Sequence, residues 1–434
     1  MATTYLSRTS GTPTDSKKTT LSVWLKRSGL GTGTFFGGGA DSNNMTFINF
    51  NPNGKIFLQS SSSGSNTLVF VTTQVFRDTS AWYHIVVAID TTQGTASNRV
   101  KLYVNGVQVT AFDTETQPSQ NLELEWNKSG KTLEIGKYLF QSTYSLYDGS
   151  MSYVSFVDGT QELPTVFGET DSTTGEWKIK TTITPSVAWG ANGFLILKNG
   201  NSLTDESSNS NNFTLGGGTL TETKDCPDNV FCVLNDLDTT RVLSNGNTTY
   251  AGDASGTVVK GTLGMLSGKY YAECKILSAA QNMIGVLSIA QAPTTVFVGA
   301  SAVGWGLFGD GTLYNNSSAT SNFSNSFSDN DIMGIALDMD NNKLYFSKNG
   351  VWQNSGDPTS GATGTGAVSI TSGLTMTFSG GRDSASDTAD FNFGNGTFGT
   401  TAIASAGTNA SNNGVFEYDV PTGYTALSTK GLNL

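Results

Sequence analysis

Apolar and polar residues alternate with a period of two along much of this chain. The runs are short and are broken by Gly, Asn, Asp and Pro, a pattern that predicts extended strands joined by tight turns. The first run places Leu21, Val23 and Leu25 on one face, with Trp24 and Lys26 on the other. Residues 46–50 and 55–59 flank Asn51-Pro52-Asn53-Gly54 and read as a hairpin, because Asn-Gly tolerates positive φ at little cost. Residues 82–90 predict a strand with Tyr83, Ile85, Val87 and Ile89 on one side. Its expected partner is 99–104, where Val100, Leu102 and Val104 alternate with Lys101 and Tyr103 before Asn105-Gly106 turns the chain. Further strands are expected at 133–136 and 151–157.

The same texture returns in the second half. Residues 269–276 predict a strand, and Gly304-Trp305-Gly306 a tight aromatic segment. Residues 332–339 and 343–347 form a hairpin closed by Asp340-Asn341-Asn342. Alternation weakens at 335–337, as in a strand buried on both faces. The intervening stretch is rich in Thr, Ser, Gly and Asn yet holds Trp177, Trp189 and Phe213, so it reads as an ordered connector. The expected architecture is therefore all-β. Two antiparallel β-sandwich domains, 1–157 and 236–434, are joined by an irregular ordered connector, 158–235. Residues 380–413, rich in Gly, Ser, Ala and Asn, could form an arm that orders on assembly.

Composition narrows the function. Only 14% of the 434 residues are charged, and 51 are Gly, which starves helices and suits turns and solvated strand faces. Hydrophobic content of 37% is enough to build cores. The balance of 24 Lys+Arg against 35 Asp+Glu, net −11, lacks the basic stripe that nucleic-acid binding needs. No run approaches the roughly 18 apolar residues of a membrane span, and residues 1–18 lack the apolar core of a secretory signal. Neither nucleic acid nor membrane insertion is expected, and synthesis in a cytoplasm is. Cys226, Cys232 and Cys274 cannot all pair within the chain and read as free thiols.

The segment from Trp82 to Asp90, followed by Arg99 to Gly106, resembles the core hairpin of laminin-G-like, concanavalin A-like jelly rolls. Gly268 to Glu273, Gly304-Trp305-Gly306 and the run from Asp338 to Trp352 resemble a SPRY domain, with Trp352 available to pack across its sheet. In the connector, the segments 167–171, 175–177, 190–194, 205–213 and 234–235 are similar to segments of tailed-bacteriophage virion proteins of the marine-phage type. The chain's opening Tyr5 to Thr9 and closing Val420 to Leu427 are similar to the ends of such proteins. The resemblance implies a virion protein, assembled in the host cytoplasm, that is displayed as a tail fibre, tail or capsid decoration. Its implied partners are other virion proteins and host-surface glycans, and homo-oligomers are expected, since weak contacts gain strength by avidity.

Concanavalin-type jelly rolls also host glycoside hydrolases, which need two carboxyls across the scissile bond. Glu123 and Glu125 share a strand face if 122–126 is extended, but the family's Glu-x-Asp-x-x-Glu pattern is absent, with Asn127 and Lys128 in its place. A solvated strand face is the plainer reading, and a non-enzymatic protein is expected. A polysaccharide depolymerase and a purely structural scaffold stand as alternatives. His84 shares a face with Trp82, Val86 and Ala88 and reads as a hydrogen-bonded core or boundary histidine. For carbohydrate, the loop 309–316 offers Asp310, Tyr314, Asn315 and Asn316, an aromatic among amides and a carboxylate. Core packing and turn formation account equally for the same residues. No cofactor is expected. Calcium is the ion open to consideration, through Asp41, Asn43 and Asp148 or the turn at 338–342, where turn chemistry again competes. Trp82, Trp305 and Trp352 are assigned to cores.

Overall fold

The computed structural model describes residues 3–137, 146–183, 187–252, 257–279, 281–292, 297–382 and 386–433. The period-two alternation becomes antiparallel sheets, and the chain divides into two compact units, Met1–Glu222 and Thr223–Leu434.

The first unit opens with β1 (Tyr5–Thr9), β2 (Lys18–Arg27), β3 (Gly33–Asp41), β4 (Asn44–Phe50), β5 (Lys55–Ser62) and β6 (Ser65–Val75). β7 (Trp82–Asp90), β8 (Val100–Val104), β9 (Val107–Gln108), β10 (Phe112–Thr116), β11 (Thr132–Ile135) and β12 (Gly149–Asp158) follow. β13 (Gly168–Thr170), β14 (Trp177–Ile179), β15 (Phe194–Ile196) and β16 (Thr214–Gly217) complete it. An eight-stranded sheet in the order β10-β6-β5-β4-β3-β11-β1-β16 accompanies a six-stranded one, β15-β12-β2-β7-β8-β9. Leu21, Val23, Leu25, Ile85, Val87 and Ile89 of the smaller sheet share one core with Ile48, Phe50, Leu58 and Phe70 of the larger. An irregularity between Thr34 and Phe36 lets β3 send two successive side chains, Phe35 and Phe36, into that core. At about 1.5–3 kcal/mol for each fully buried large side chain, this layer is what holds the unit together.

Residues 158–222, read as connector from sequence, lie within the first unit. β15 extends the six-stranded sheet with Phe194 opposite Phe156, and β16 extends the eight-stranded sheet with Thr214 opposite Ser7. Phe167, Val187, Trp189 and Leu195 cluster with Val86, Ala88, Tyr103 and Val157 on the far side of the smaller sheet. Val86, Ala88 and Tyr103, which would otherwise face water, are thereby buried, and Trp24 is buried against His84. The motif at 205–213 is loop architecture. Asp205 accepts hydrogen bonds from the backbone N–H groups of Leu195 (2.8 Å), Ser207 (2.8 Å) and Asn211 (2.7 Å), and Asn211 accepts one from Arg8 at 2.6 Å.

The second unit contains β17 (Leu243–Ser244), β18 (Thr249–Tyr250), β19 (Val259–Lys260), β20 (Lys269–Ser278), β21 (Met283–Ser288), β22 (Gly304–Phe308), β23 (Leu313–Asn315) and β24 (Ser318–Thr320). These are followed by β25 (Ile332–Asp338), β26 (Lys343–Lys348), β27 (Val351–Trp352), β28 (Val368–Ser369) and β29 (Met376–Gly380). β30 (Thr388–Asn392), β31 (Thr397–Phe398), β32 (Thr401–Ala402) and β33 (Thr425–Ala426) close the chain. One sheet runs β17-β18-β30-β20-β25-β26-β27, with β28 joined to β26 and β33 to β20; the other runs β19-β29-β21-β22-β23-β24.

Ile335, Ala336 and Leu337 are fully buried, as the weakened alternation predicts. Ile335 and Leu337 enter the inter-sheet core, whereas Ala336 meets Phe416, Val420, Tyr424 and Ala426 of the C-terminal segment on the opposite face. The described residues of 380–413 do not form a separate arm. Among them, Thr388–Asn392 are the strand between β18 and β20, because Ala389, Phe391 and Phe393 supply a period-two apolar face that the surrounding small residues obscure. Trp305 is a core residue. Trp352 is half-buried and packs edge-on against Tyr271 and Tyr345.

Candidate functional site

Asp310, Tyr314, Asn315 and Asn316 fall around the short strand β23. Exposed Asp310 accepts the Thr312 backbone N–H at 2.8 Å and shapes the turn entering β23. Tyr314 is half-buried, its ring edge-on to Phe297 and Phe308 at centroid distances of 5.7 and 6.4 Å. The Arg382 guanidinium lies over the Phe308 ring. Asn315 donates its amide to the Gly304 carbonyl at 2.8 Å. Exposed Asn316, at φ 50°, begins the turn into β24. Asp310 and Asn316 thus stand at opposite ends of β23, and the tyrosine between them is engaged by aromatic neighbours.

Asp41 sits in the turn from β3 to β4. Its carboxylate accepts the backbone N–H groups of Asn43 (2.8 Å) and Asn44 (3.0 Å), which hold it below the usual carboxylate range. Asn43 is exposed in the same turn, and its carbonyl accepts the Gly64 N–H. Asp148 is at the other end of β3, beside Gly29, with its carbonyl accepting the Ser28 N–H at 3.0 Å; desolvation raises its carboxyl pKa. Nine residues at roughly 3.3 Å each separate the ends of β3, so Asp41 and Asn43 cannot share one cation with Asp148. In the 338–342 turn, Asp338 accepts the Asn341 N–H and side-chain amide and is paired with Lys269 at 3.1 Å. Among the described residues, no group of three or more His, Cys, Asp or Glu is arranged to hold a metal ion.

Glu123 and Glu125 are not on a common strand face, contrary to the extended reading of 122–126. Glu125 begins a 3₁₀ turn, Glu125–Asn127. Leu124 and Trp126 are driven into the core, where Gly38 leaves room: a Cβ there would stand 3.0 Å from Trp126. Glu125 is buried and ion-paired with Lys128, with Lys131 at 3.8 Å, while exposed Glu123 accepts the Ser16 hydroxyl at 2.7 Å. The two carboxylates are held by different partners.

His84 is fully buried. It stacks on Trp24 at 4.6 Å and bonds Ser22 through Nε2 at 2.8 Å and Trp177 through Nδ1 at 2.9 Å. The expectation of a hydrogen-bonded core histidine holds. Cys226, Cys232 and Cys274 are free thiols, with the last two buried.

Three polar groups that sequence reasoning did not single out are central. Asp158 accepts from the backbone of Thr14, Asp15 and Asn192 and from the Asn127 amide, joining four segments. Glu273 accepts the backbone N–H groups of Glu417 and Tyr418, both at 2.8 Å, together with the Asn392 amide and the Tyr271 hydroxyl. Thr34, Asn49 and Glu134 stand on the outer face of the eight-stranded sheet. Each occupies a polar position in an alternating strand, and such a position looks the same in sequence whether it meets water, a neighbour or a ligand.

Residues 2–162 match the family described as the concanavalin A-like lectin/glucanases superfamily, and residues 269–394 match the SPRY domain. No curated protein matches. Among solved structures, the SPRY domain of human HERC1 is 16% identical, covers 36% of this chain and 96% of its own, and has a TM-score of 0.30. A heptameric SAP-like pentraxin from Limulus polyphemus is also 16% identical, covers 50% of this chain and 86% of its own, and has a TM-score of 0.32. The chain carries a concanavalin A-like domain followed by a SPRY domain, two domain types that point to binding or adhesion.

Proposed function

We propose that this chain is a non-enzymatic adhesion protein, displayed in several copies on a tailed-bacteriophage particle, where it contacts host-surface glycans and neighbouring virion proteins. The observation that carries the non-catalytic reading is the separation of Glu123 from Glu125. Retaining hydrolysis asks for two carboxyls about 5–5.5 Å apart flanking one bond, whereas here one acid is buried against lysines and the other is bound to a serine. The similarity of segments 167–171, 175–177, 190–194, 205–213 and 234–235 to tailed-phage virion proteins supports the particle-borne setting. Display in many copies lets individually weak sugar contacts add, and a net charge of −11 keeps crowded copies apart.

Two measurements test this reading. A glycan array with the full chain in its native oligomer is expected to show binding without release of sugar fragments; cleavage that persists in Glu123→Gln and Glu125→Gln variants would identify an enzyme with a different acid pair. A density map of the intact particle is expected to show the chain facing outward. A position enclosed by other virion proteins would make it a scaffold.

A further inference from the structure

The sequence holds eight Asn-Gly pairs. Glycine is the follower that best lets an asparagine react with its own backbone, because no Cβ hinders approach to the glycine nitrogen. The fold closes most of these pairs to that chemistry. Asn192, Asn395 and Asn413 are buried, each with its amide hydrogen-bonded. At Asn53 the reacting nitrogen is tied, since the Gly54 N–H donates to the Asn51 carbonyl at 2.9 Å. Asn105 and Asn349 have Oδ1 engaged by the backbone N–H groups of His84 and Ile332. Asn245 is held at φ 53° in the turn between β17 and β18, with its amide on the Thr249 hydroxyl at 2.9 Å.

Asn199-Gly200 is different. Both residues are exposed, and the Ser202 N–H donates to the Asn199 carbonyl at 3.3 Å, so Gly200 takes the second place of a tight turn at φ 62°. A residue in that place directs its N–H out of the turn, and among the described residues the Gly200 N–H has no acceptor. The Asn199 amide donates through Nδ2 to Glu206 Oε1 at 2.8 Å, which leaves its carbonyl open to attack. A second carboxyl is close: a Cβ at Gly200 would stand 2.6 Å from that of Glu222.

We propose that Asn199 is a site of self-modification, a slow switch that loosens its own turn. The Gly200 nitrogen gives its proton to solvent hydroxide and bonds to Asn199 Cγ. The Cγ–Nδ2 bond breaks, ammonia leaves with a proton from water, and a succinimide closes. Water then opens either ring C–N bond to the former glycine nitrogen, giving isoaspartate or aspartate. The product sets a second carboxylate against Glu206, with Glu222 nearby, so a hydrogen bond becomes repulsion between like charges. The tie between the turn and Glu206 is lost, and with it support for the Glu206 N–H on the Leu195 carbonyl, a bond of 2.8 Å.

Peptide mass spectrometry of the full chain, kept folded in mildly alkaline buffer and sampled over days, tests the site. Asn199 is expected to convert fastest of the eight, at least tenfold faster than Asn192, Asn395 and Asn413, with isoaspartate and aspartate both found. Another pair converting first, or no conversion at Asn199, would overturn it. In concentrated urea the eight rates are expected to fall within a few-fold of one another. A lead at Asn199 as large as in the folded chain would mean that local sequence selects it, and would overturn the proposal too. The consequence is read by amide hydrogen exchange in NMR. Asn199→Asp is expected to speed exchange of the Glu206 N–H tenfold or more, and Asn53→Asp to leave it unchanged. Unaltered exchange at Glu206 in Asn199→Asp would remove the switch.

Discussion

The indole N–H of Trp177 donates to Nδ1 of His84 at 2.9 Å, so a residue of the β14 hairpin completes the hydrogen bonding of a histidine in the centre of the six-stranded sheet. Because Nδ1 accepts, the ring proton sits on Nε2 and is given to Ser22 at 2.8 Å, which fixes one neutral tautomer. Trp177→Phe keeps an aromatic ring but leaves Nδ1 buried and unpartnered. We expect a loss of about 1–3 kcal/mol in denaturant unfolding. An unchanged midpoint would mean that the bond contributes nothing.

The same burial makes the first unit sensitive to acid. Desolvation lowers the His84 pKa from 6.5 to about 3. Between those values the unfolded chain binds the proton and the folded one does not, so this contribution is complete above pH 6.5 and is lost as pH falls toward 3. Its full size is on the order of 5 kcal/mol. Replacing His84 by Gln should flatten the pH dependence of unfolding across that window, which a series of thermal melts reads directly.

Glu273 in the second unit works in the opposite direction. Desolvation pushes its carboxyl up to about 7, against the four hydrogen bonds that favour the ionised form. A raised folded pKa gives stability that is complete below about 4.5 and lost as pH rises through 7, by roughly 3 kcal/mol. A carbon-13 NMR titration of the Glu273 carboxyl should find its midpoint near 7; a midpoint near 4.5 would show that the hydrogen bonds outweigh desolvation. Glu273→Gln presents an amide donor to groups that are themselves donors, and should cost about 1–3 kcal/mol.

Both units leave a central hairpin in the same way, through an Asn-Gly pair just past its second strand. Asn105 Oδ1 accepts the His84 N–H at 2.8 Å, and Asn349 Oδ1 accepts the Ile332 N–H at 2.8 Å, with φ of 48° and 49° respectively. Each is followed by a glycine against an aromatic ring, Gly106 under Trp177 and Gly350 under Tyr418. Alanine at either asparagine loses the bond and keeps the left-handed strain, at about 1–2 kcal/mol each. Glycine loses only the bond, so equal effects of Ala and Gly in equilibrium unfolding would exclude strain as a factor.

Arg241 and Asp387 form an ion pair with both side chains fully buried, at 2.9 Å. Arg241→Met strands the carboxylate and should destabilise the second unit by about 3–5 kcal/mol, whereas Arg241→Met combined with Asp387→Leu should recover part of that loss. A double-mutant cycle in urea measures the coupling; additive losses would show that none exists.

The strands were legible wherever one face is apolar and the other polar. The pairing of Trp82–Asp90 with Val100–Val104 follows from alternation, and the hairpin from Ile332 to Lys348 from alternation and its Asp-Asn-Asn turn. Glu123 and Glu125 show where that reading fails. Leu122, Leu124 and Trp126 alternate as a strand does, yet the space beside Gly38 draws Trp126 inward and the backbone turns. Small residues hid the strand at Thr388–Asn392, since Gly and Ser neighbours dilute its apolar face while tertiary pairing on both sides supplies its hydrogen bonds.

Local pattern by itself determined that this chain is all-β, where its principal hairpins turn, and that its one histidine belongs to a core, because periodicity and positive-φ turn residues act over a few positions. Only the tertiary structure decided what lies over each sheet: the β14 hairpin over His84, the C-terminal segment over Ala336, and orphaned acceptors at Thr34, Asn49 and Glu134. Those outcomes depend on segments far apart in sequence meeting across a sheet, and a polar residue in a strand carries no local mark of what it will meet.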